Sequence, residues 1–377
     1  MQTIVRITTI PTSLKTFCNG LLKELAGEYK VVAISSPGQT LGDIGRNEGI
    51  WTICVPMERH ISLVKDVRSL IRMIRVFRRV KPDMVHSMTP KAGLISMLAG
   101  WWTGVPVRIH TFTGLVWPTS TGLKRRVLMM TDRITCACAT HIIPEGEGVK
   151  HDLRAGRITK KPLNVLGYGN VRGIDLNLYN RTDEVLEKAA RIRKPGVFTF
   201  VFVGRIVGDK GINELVQAFL SLNAKHPQTR LLLVGYFEES LDPVRPETRK
   251  LIETSPMIEA AGQQEDVRPY YAASDCFVFP SYREGFPNTV IEAGAMGLPS
   301  IVTDINGSRE IVRDGENGII IPPRDRARLY EAMEKMLTDD AFRISLASHA
   351  RESVALRFEQ GFVRQCLKDF YHEVLCN

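Results

Sequence analysis

Along the chain, short apolar and β-branched runs alternate with stretches of helical periodicity, and each change is marked by Gly, Pro, Asn or Asp. The spacing predicts strands at 3–9, 30–35, 51–55, 84–86, 107–111, 141–144 and 164–166, with helices at 14–26, 63–80 and 92–102 among them. Such alternation is the pattern of an open, mostly parallel sheet with helices on both faces. The pattern restarts after Pro195-Gly196. Residues 197–203 are apolar on both faces, as a central parallel strand requires. A helix at 212–225, strands at 230–234 and 276–280, a helix at 289–296 and a strand at 300–302 follow. The charged stretch 182–194 reads as a hinge-side helix or linker. The expectation is therefore an α/β protein of two doubly wound, Rossmann-like halves, 1–180 and 195–354, divided near residue 195. In such sheets ligands bind outside the carboxyl ends of the strands, so the cleft between the halves is the expected site.

Composition sharpens this picture only through charge. The 377 residues are 44% hydrophobic and 24% charged, ordinary for a globular protein, which excludes a disordered or fibrous chain. The net charge of +9 is unevenly spread: residues 1–180 hold 25 Lys/Arg against 12 Asp/Glu, and residues 181–377 hold 25 against 29. Only the first half should seek an anionic partner. Seven cysteines at irregular spacing, with no CxxC, fit reduced thiols in a cytoplasmic protein rather than a disulfide framework or metal site. No apolar stretch reaches the ~20 residues of a membrane helix, and the expectation is a protein neither secreted nor membrane-spanning.

Two clusters in the second half carry chemistry. The first, Gly204-Arg205-Ile-Val-Gly208-Asp-Lys210-Gly211, follows a buried strand and precedes a helix. Glycines allow close backbone approach, a helix start offers N–H groups to an anion, and Arg205 and Lys210 add two cations. Together they suit a diphosphate, bound or leaving. The string is neither GxxxxGK[ST] nor GxGxxG, which disfavours a P-loop ATPase or a nicotinamide enzyme. The second, Pro280-Ser-Tyr-Arg-Glu284-Gly285-Phe286-Pro287-Asn288-Thr289-Val-Ile-Glu292-Ala293, also leaves a buried strand and opens a helix. Its two carboxylates, eight residues apart across a loop-to-helix junction, can hydrogen-bond separate hydroxyls of one elongated polar ligand. Taken singly, each glutamate could equally be an acidic residue favoured near a helix start.

Through these residues, the second half resembles the donor half of retaining GT-B glycosyltransferases of family four. The resemblance implies that Arg205 and Lys210 hold a nucleoside diphosphate, with Gly204 at the strand end. Glu284 and the backbone of Phe286, Pro287, Asn288 and Thr289 would hold the donor sugar, Glu292 the ribose hydroxyls, and Gly262-Gln263 would seat the base. It implies catalytic roles for Arg205, Lys210 and Glu284, and supporting structure at Asp304…Gly307-Ser-Arg-Glu310. The first half is similar, more weakly, to the capsule, O-antigen and N-glycan branch that builds sugars on polyprenyl diphosphate. The carriers are Val85-His86-Ser-Met-Thr89-Pro90-Lys91-Ala-Gly93, Arg108-Ile-His110-Thr-Phe-Thr-Gly114-Leu115 and Gly173-Ile-Asp175. The implied acceptor side comprises Thr12, Lys15, His86, Lys91 and His110. Two departures stand out: Ile10-Pro-Thr-Ser-Leu-Lys15 replaces the family's Gly-Gly loop, and Thr113 stands where many relatives carry His. A lone histidine near a strand end is also the commonplace of a hydrogen-bonded structural residue.

No Asp-x-Asp occurs, so neither a metal nor another cofactor is expected; the nucleotide sugar is substrate. The C-terminal helix, 355–377, is expected to cross back to the first half. Residues 59–81, beginning at Arg59, carry eight Lys/Arg and one acid, Asp66. Val64, Val67, Leu70, Ile71, Ile74 and Phe77 fall at helical spacing, as a face for packing on the sheet. Arg68, Arg72, Arg75 and Arg79 form a stripe for an anionic membrane surface, while Trp101 and Trp102 are expected in the core. No nucleic-acid module is visible. The resulting expectation is a cytoplasmic enzyme peripheral to the inner face of the cell membrane. It would move a sugar, N-acetylhexosamine or hexose from a UDP-sugar, to a polyprenyl-diphosphate-linked acceptor in bacterial surface polysaccharide or glycoprotein glycan synthesis. Two rivals are a nucleotide-sugar 2-epimerase, which needs acid/base carboxylates in the first half, and a non-catalytic scaffold binding nucleotide sugar or acidic lipid. The first half shows no convincing carboxylate set, and the intact Arg205/Lys210/Glu284/Glu292 group argues against the second.

Overall fold

The computed structural model describes residues 1–58, 62–239 and 242–376. Two compact units emerge, one of residues 1–173 with 361–377 and one of 174–360. Arg59 and Asn377, at the ends of the basic segment and of the expected crossing helix, lie outside the described residues.

The first unit holds six parallel strands: β1 (Thr3–Ile7), β2 (Lys30–Ser35), β3 (Trp51–Cys54), β4 (Met84–Ser87), β5 (Val107–Phe112) and β6 (His141–Pro144). Their order is β3-β2-β1-β4-β5-β6, so the sheet reverses direction between β1 and β4. The central strands β1 and β4 are buried almost throughout, as a covered parallel sheet requires, whereas of the two edge strands β3 is largely exposed and β6 is buried past His141. Two apolar clusters lie against the sheet, one including Met73, Ile95 and Cys136 and the other Leu14, Leu22, Ile44 and Tyr371.

The second unit repeats the topology with β7 (Phe198–Val203), β8 (Thr229–Val234), β9 (Ile258–Gly262), β10 (Cys276–Phe279), β11 (Ser300–Thr303) and β12 (Gly318–Ile321) in the order β12-β11-β10-β7-β8-β9. Here the reversal falls between β7 and β10. Ligands of open α/β sheets bind at such a reversal, beyond the carboxyl ends.

Several expectations need correction. The segment 164–166 is not a strand: the Asn164 N–H bonds the Ile142 carbonyl, but no ladder continues. The 14–26 helix is two, Pro11–Cys18 and Leu21–Ala26, broken at Gly20 with φ 76°. Glu48 takes the Gly20 and Lys23 N–H groups at the restart, at 2.6 and 2.9 Å. The 182–194 stretch is no linker. Its helix Asp183–Ile192, capped by Thr182, buries Val185 and Ala189 in the core of the second unit. Consequently the first unit's leading segment ends at 173 rather than 180, and the second starts at 174 rather than 195. The C-terminal stretch 355–377 is divided: Asp340–Phe358 belongs to the second unit, and Gln360–Cys376 returns to the first from residue 361. The break falls at Glu359, beside the bridge that Ile174 forms with it.

Candidate functional site

At the carboxyl edge of the second sheet, the loops after β7 and β10 meet. Gly211 has φ 72°, and a Cβ there would stand 2.1 Å from the Pro280 carbonyl oxygen, so only glycine allows the approach. Across it Lys210 donates to Glu284, and Ser281 donates to the same carboxylate at 2.8 Å. The Lys210 ammonium also lies 5.2 Å from the centre of the Phe279 ring. Arg205, directly after the β7 turn, donates to Glu238 at 3.3 Å and is partly exposed. Asp209 ties the two loops together, its carbonyl accepting from the Tyr282 N–H at 2.8 Å and its carboxylate from Arg283 at 2.8 Å. Tyr282 in turn donates to Glu214, and burial followed by that partner pushes its phenol well above the ordinary value.

Helix Asn288–Ala295 opens from this loop with Pro287 as its cap residue, which supplies no side-chain acceptor. The Gly285–Pro287 backbone is backed by Gly307, where a Cβ would stand 2.5 Å from the Gly285 carbonyl oxygen. Phe286 turns its side chain into the core, edge-on to Phe358 at 5.3 Å, so it contributes backbone and an anchor rather than a side-chain contact at the surface. Glu292 is buried and accepts from Tyr271 at 3.3 Å. At the end of β9, Gly262 has φ 70° and accepts from the Gly235 N–H, leaving Gln263 exposed. The structure thus assembles Gly204, Arg205, Lys210, Gly262, Gln263, Glu284, the 286–289 backbone and Glu292 along one edge of one sheet. Sequence reasoning missed Asp209, Ser281, Tyr271, Glu238 and Asp242, which hold these groups. The Asp242-Pro243 turn signal after β8 was the one legible hint.

The first unit treats its candidates differently. Thr12 and Lys15 are exposed on helix Pro11–Cys18. His86 is not open: it is buried between Arg6 (2.6 Å), Tyr371 (2.6 Å) and Thr111 (2.7 Å). Because Arg6 can only donate, Nδ1 is the acceptor, which places the proton on Nε2 toward Thr111. Burial, then Arg6 and His110, hold its pKa well below the ordinary histidine value. His110 is likewise enclosed, with Ser87 at 2.8 Å, the Phe112 ring edge-on at 4.5 Å and Gly93 so near that a Cβ would fall 2.3 Å from its ring. Burial brings its pKa down to about 3, Ser87 opposing. Lys91 is taken by Asp66 at 2.6 Å. The two histidines are thus internal groups of the first unit, while Lys91 is partly buried in its ion pair.

Helix Leu63–Val80 buries Ser69, Met73 and Phe77. Of the expected packing face, Leu70, Ile74 and Phe77 pack on the core, but Val64, Val67 and Ile71 are exposed together with Leu63. Arg68, Arg72, Arg75 and Arg79 are exposed beside them, and with Arg78 they have no ion-pair partner among the described residues. Trp101 and Trp102 are exposed at 57% and 66%, not in the core. Among the described residues no helix is long and apolar enough to cross a membrane, and no cluster of three metal-ligating side chains occurs.

Comparison with known proteins places these features in a family. Residues 197–339 match the model of "Glycosyl transferases group 1", and residues 14–169 match that of a "Glycosyl transferase 4-like domain". The chain is 34% identical over 322 residues to the capsular polysaccharide biosynthesis glycosyltransferase CapM of Staphylococcus aureus, covering 85% of this chain and 84% of CapM. It is 26% identical over 344 residues to the UDP-Gal:alpha-D-GlcNAc-diphosphoundecaprenol alpha-1,3-galactosyltransferase of Escherichia coli, covering 89% and 86%. Among solved structures, Anabaena Alr3699/HepE in complex with UDP and glucose superimposes with a TM-score of 0.83 at 16% identity, over 99% of this chain and all of that one, a likeness of fold. With both sheets wound alike, the diphosphate-suited loops on the second and relatives along most of the length, the chain belongs to the group 1 glycosyltransferases and has the GT-B fold.

Proposed function

We propose that this glycosyltransferase moves a hexosyl or N-acetylhexosaminyl group from a UDP-sugar to a polyprenyl-diphosphate-linked glycan intermediate, with retention of configuration and without a metal. The observation that carries the donor reading is the meeting of Lys210, Glu284 and the start of helix Asn288–Ala295 across the Gly211–Pro280 contact. Two fixed cations beside a helix N-terminus stabilise charge that grows on a departing diphosphate, which is the work a divalent ion would otherwise do. In the reaction, the bond from the anomeric carbon to the diphosphate oxygen breaks and its electron pair stays with that oxygen. The acceptor hydroxyl forms the new bond on the same face, and its proton passes to the leaving phosphate. Glu284 orients sugar hydroxyls, and buried Glu292 receives the ribose. The two are not a glycosidase pair, since each already has its own partner.

The likeness to the diphosphoundecaprenol galactosyltransferase supports a lipid-linked acceptor, and the first unit supports a membrane address. An outward apolar row flanked by unpaired arginines suits the interface of an anionic bilayer, and exposed Trp101 and Trp102 suit the same depth. The enzyme would then be cytoplasmic and peripheral to the inner face. A thermal-shift screen over UDP- and GDP-sugars tests the donor reading: a UDP-sugar should raise the unfolding temperature by mass action. No shift with any nucleotide sugar would sink it. Binding without UDP release on any lipid acceptor would point instead to the scaffold.

A further inference from the structure

Beyond the loops after β7 and β10, a third segment touches the diphosphate-suited turn. After β8 the chain passes Gly235, whose φ of 147° and near-zero clearance (a Cβ would lie 1.8 Å from the Gly204 carbonyl oxygen) press it against the end of β7. From there the pairing runs on beyond the sheet. Ile206 bridges Phe237, and the Ile206 N–H bonds the Tyr236 carbonyl at 2.9 Å. Asp242 then closes over the Gly208–Lys210 turn. Its carbonyl accepts from the Gly208 N–H at 3.0 Å and its carboxylate from the Asp209 N–H at 2.5 Å. A Cβ on Gly208 would stand 2.9 Å from that carboxylate, so Gly208 is the residue that lets Asp242 in. The turn's other side is held by Tyr282, Ser281 and Arg283 on Asp209.

We infer that Asp242 is a positioning residue for donor binding: it fixes the Gly208–Lys210 turn so that the Lys210 ammonium is presented to the donor diphosphate. The inference rests on the reading of Lys210 as a diphosphate ligand. Asp242 does not itself meet an anion. A carboxylate beside a diphosphate is unfavourable unless it is occupied, and the Asp209 N–H occupies it. A lysine on four rotatable carbons gains from a fixed backbone, because less freedom is lost when the ligand binds.

The test is a double-mutant cycle read by titration calorimetry with UDP and with GDP, the tighter of the two serving as probe. Asp242→Ala should weaken binding about tenfold, the scale of one misplaced charge-assisted hydrogen bond. Asp242→Asn, whose carbonyl oxygen still accepts from the Asp209 N–H, should recover most of that loss. In the Lys210→Ala background, Asp242→Ala should cost little more, because it acts through the same ammonium. In turnover, Asp242→Ala should raise the donor KM and lower kcat together. Additive losses, or no rescue by asparagine, would overturn the inference while leaving the Lys210 reading intact. Unchanged binding in Lys210→Ala alone, or no binding of either nucleotide by the unmutated chain, would overturn both.

Discussion

The two sheets share one strand order, yet their carboxyl ends are finished in opposite ways. In the first unit, the polar groups at the β1–β4 reversal turn inward: Arg6, His86, Tyr371 and Thr111 hydrogen-bond one another in the interior, and His110 is walled in by Gly93 and Phe112. The helix after β4 starts with its Ala92 N–H already bonded to the Thr9 hydroxyl, and Thr9 and Thr89 bridge the two loops at 2.7 Å. At the β7–β10 reversal of the second unit, Arg205 is partly exposed and Lys210 largely enclosed, both with carboxylates as partners, and the cap residue of the next helix is a proline. One reversal is built as an interior, and the other carries two cations beside a helix start, which we propose takes an anion. Topology nominates both, and only the side chains decide which one is a site.

The largest way to break that contrast is Lys210→Ala. If the second reversal stabilises a departing diphosphate, donor-dependent UDP release should fall by about 10²–10³-fold, the scale for removing one donor from developing charge. Circular dichroism should stay unchanged. Release within a few-fold of the parent would make Lys210 a structural partner of Glu284 and the second reversal no different in kind from the first. Gly211→Ala should come next. Its methyl has nowhere to go beside the Pro280 carbonyl, and φ 72° is already costly for an L side chain. A loss of about 2 kcal/mol or more in unfolding free energy, with nucleotide binding lost in parallel, would show that the two loops are held by this approach.

The first reversal is sharpened by acid. His110, with its pKa brought down to about 3, and His86, also depressed, are neutral in the fold and would take up protons when unfolded. Their contribution is complete above the ordinary histidine pKa of about 6.5 and is lost as pH falls from there toward 3. Each can add up to about 1.4 kcal/mol per pH unit to the slope of stability against pH. Denaturation midpoints of the parent and of His110→Gln between pH 7 and 4 should diverge in slope, with the variant flatter. Equal slopes would place His110 in contact with solvent.

The contrast also explains what could be read from residues alone. Buried parallel strands announce themselves as apolar runs, so β2 and β6 match the expected bounds residue for residue, and the glycine-rich loops after β7 and β10 stood out because glycine there answers to sterics. The histidines did not resolve. His86 and His110 are near strand ends in the sequence whether they face a ligand or the interior, and the group that settles it, Tyr371, comes from a helix 285 residues on from His86. Asp242 showed only as a turn signal for the same reason: its role lies in a backbone N–H 33 residues away. The basic helix misled in a different manner. Its arginine stripe was evident, and Leu70, Ile74 and Phe77 of the expected face do pack on the core. Val64, Val67 and Ile71 fit that face equally well but are exposed, with Ser69 and Met73 buried in their place.

That helix offers the smallest expected effect, and it extends the contrast from the sheet ends to the surfaces. Several exposed cations on helices of the second unit are matched within the helix, as in Lys188 with Glu184, Arg191 with Glu187 and Arg328 with Glu331. The five arginines of Leu63–Val80 have no such partner among the described residues, so their charge is available to an external anion. A basic residue near an anionic bilayer contributes roughly 1 kcal/mol. Arg72→Gln should therefore weaken binding to vesicles containing anionic lipid by about fivefold. Lys188→Gln, which removes a cation already paired on the other unit, should leave it unchanged. The difference should shrink as salt is raised, because exposed charges are screened beyond a Debye length of about 8 Å at physiological ionic strength. Equal effects of the two substitutions would mean that net charge alone draws the protein to the membrane, and that the helix confers no particular face.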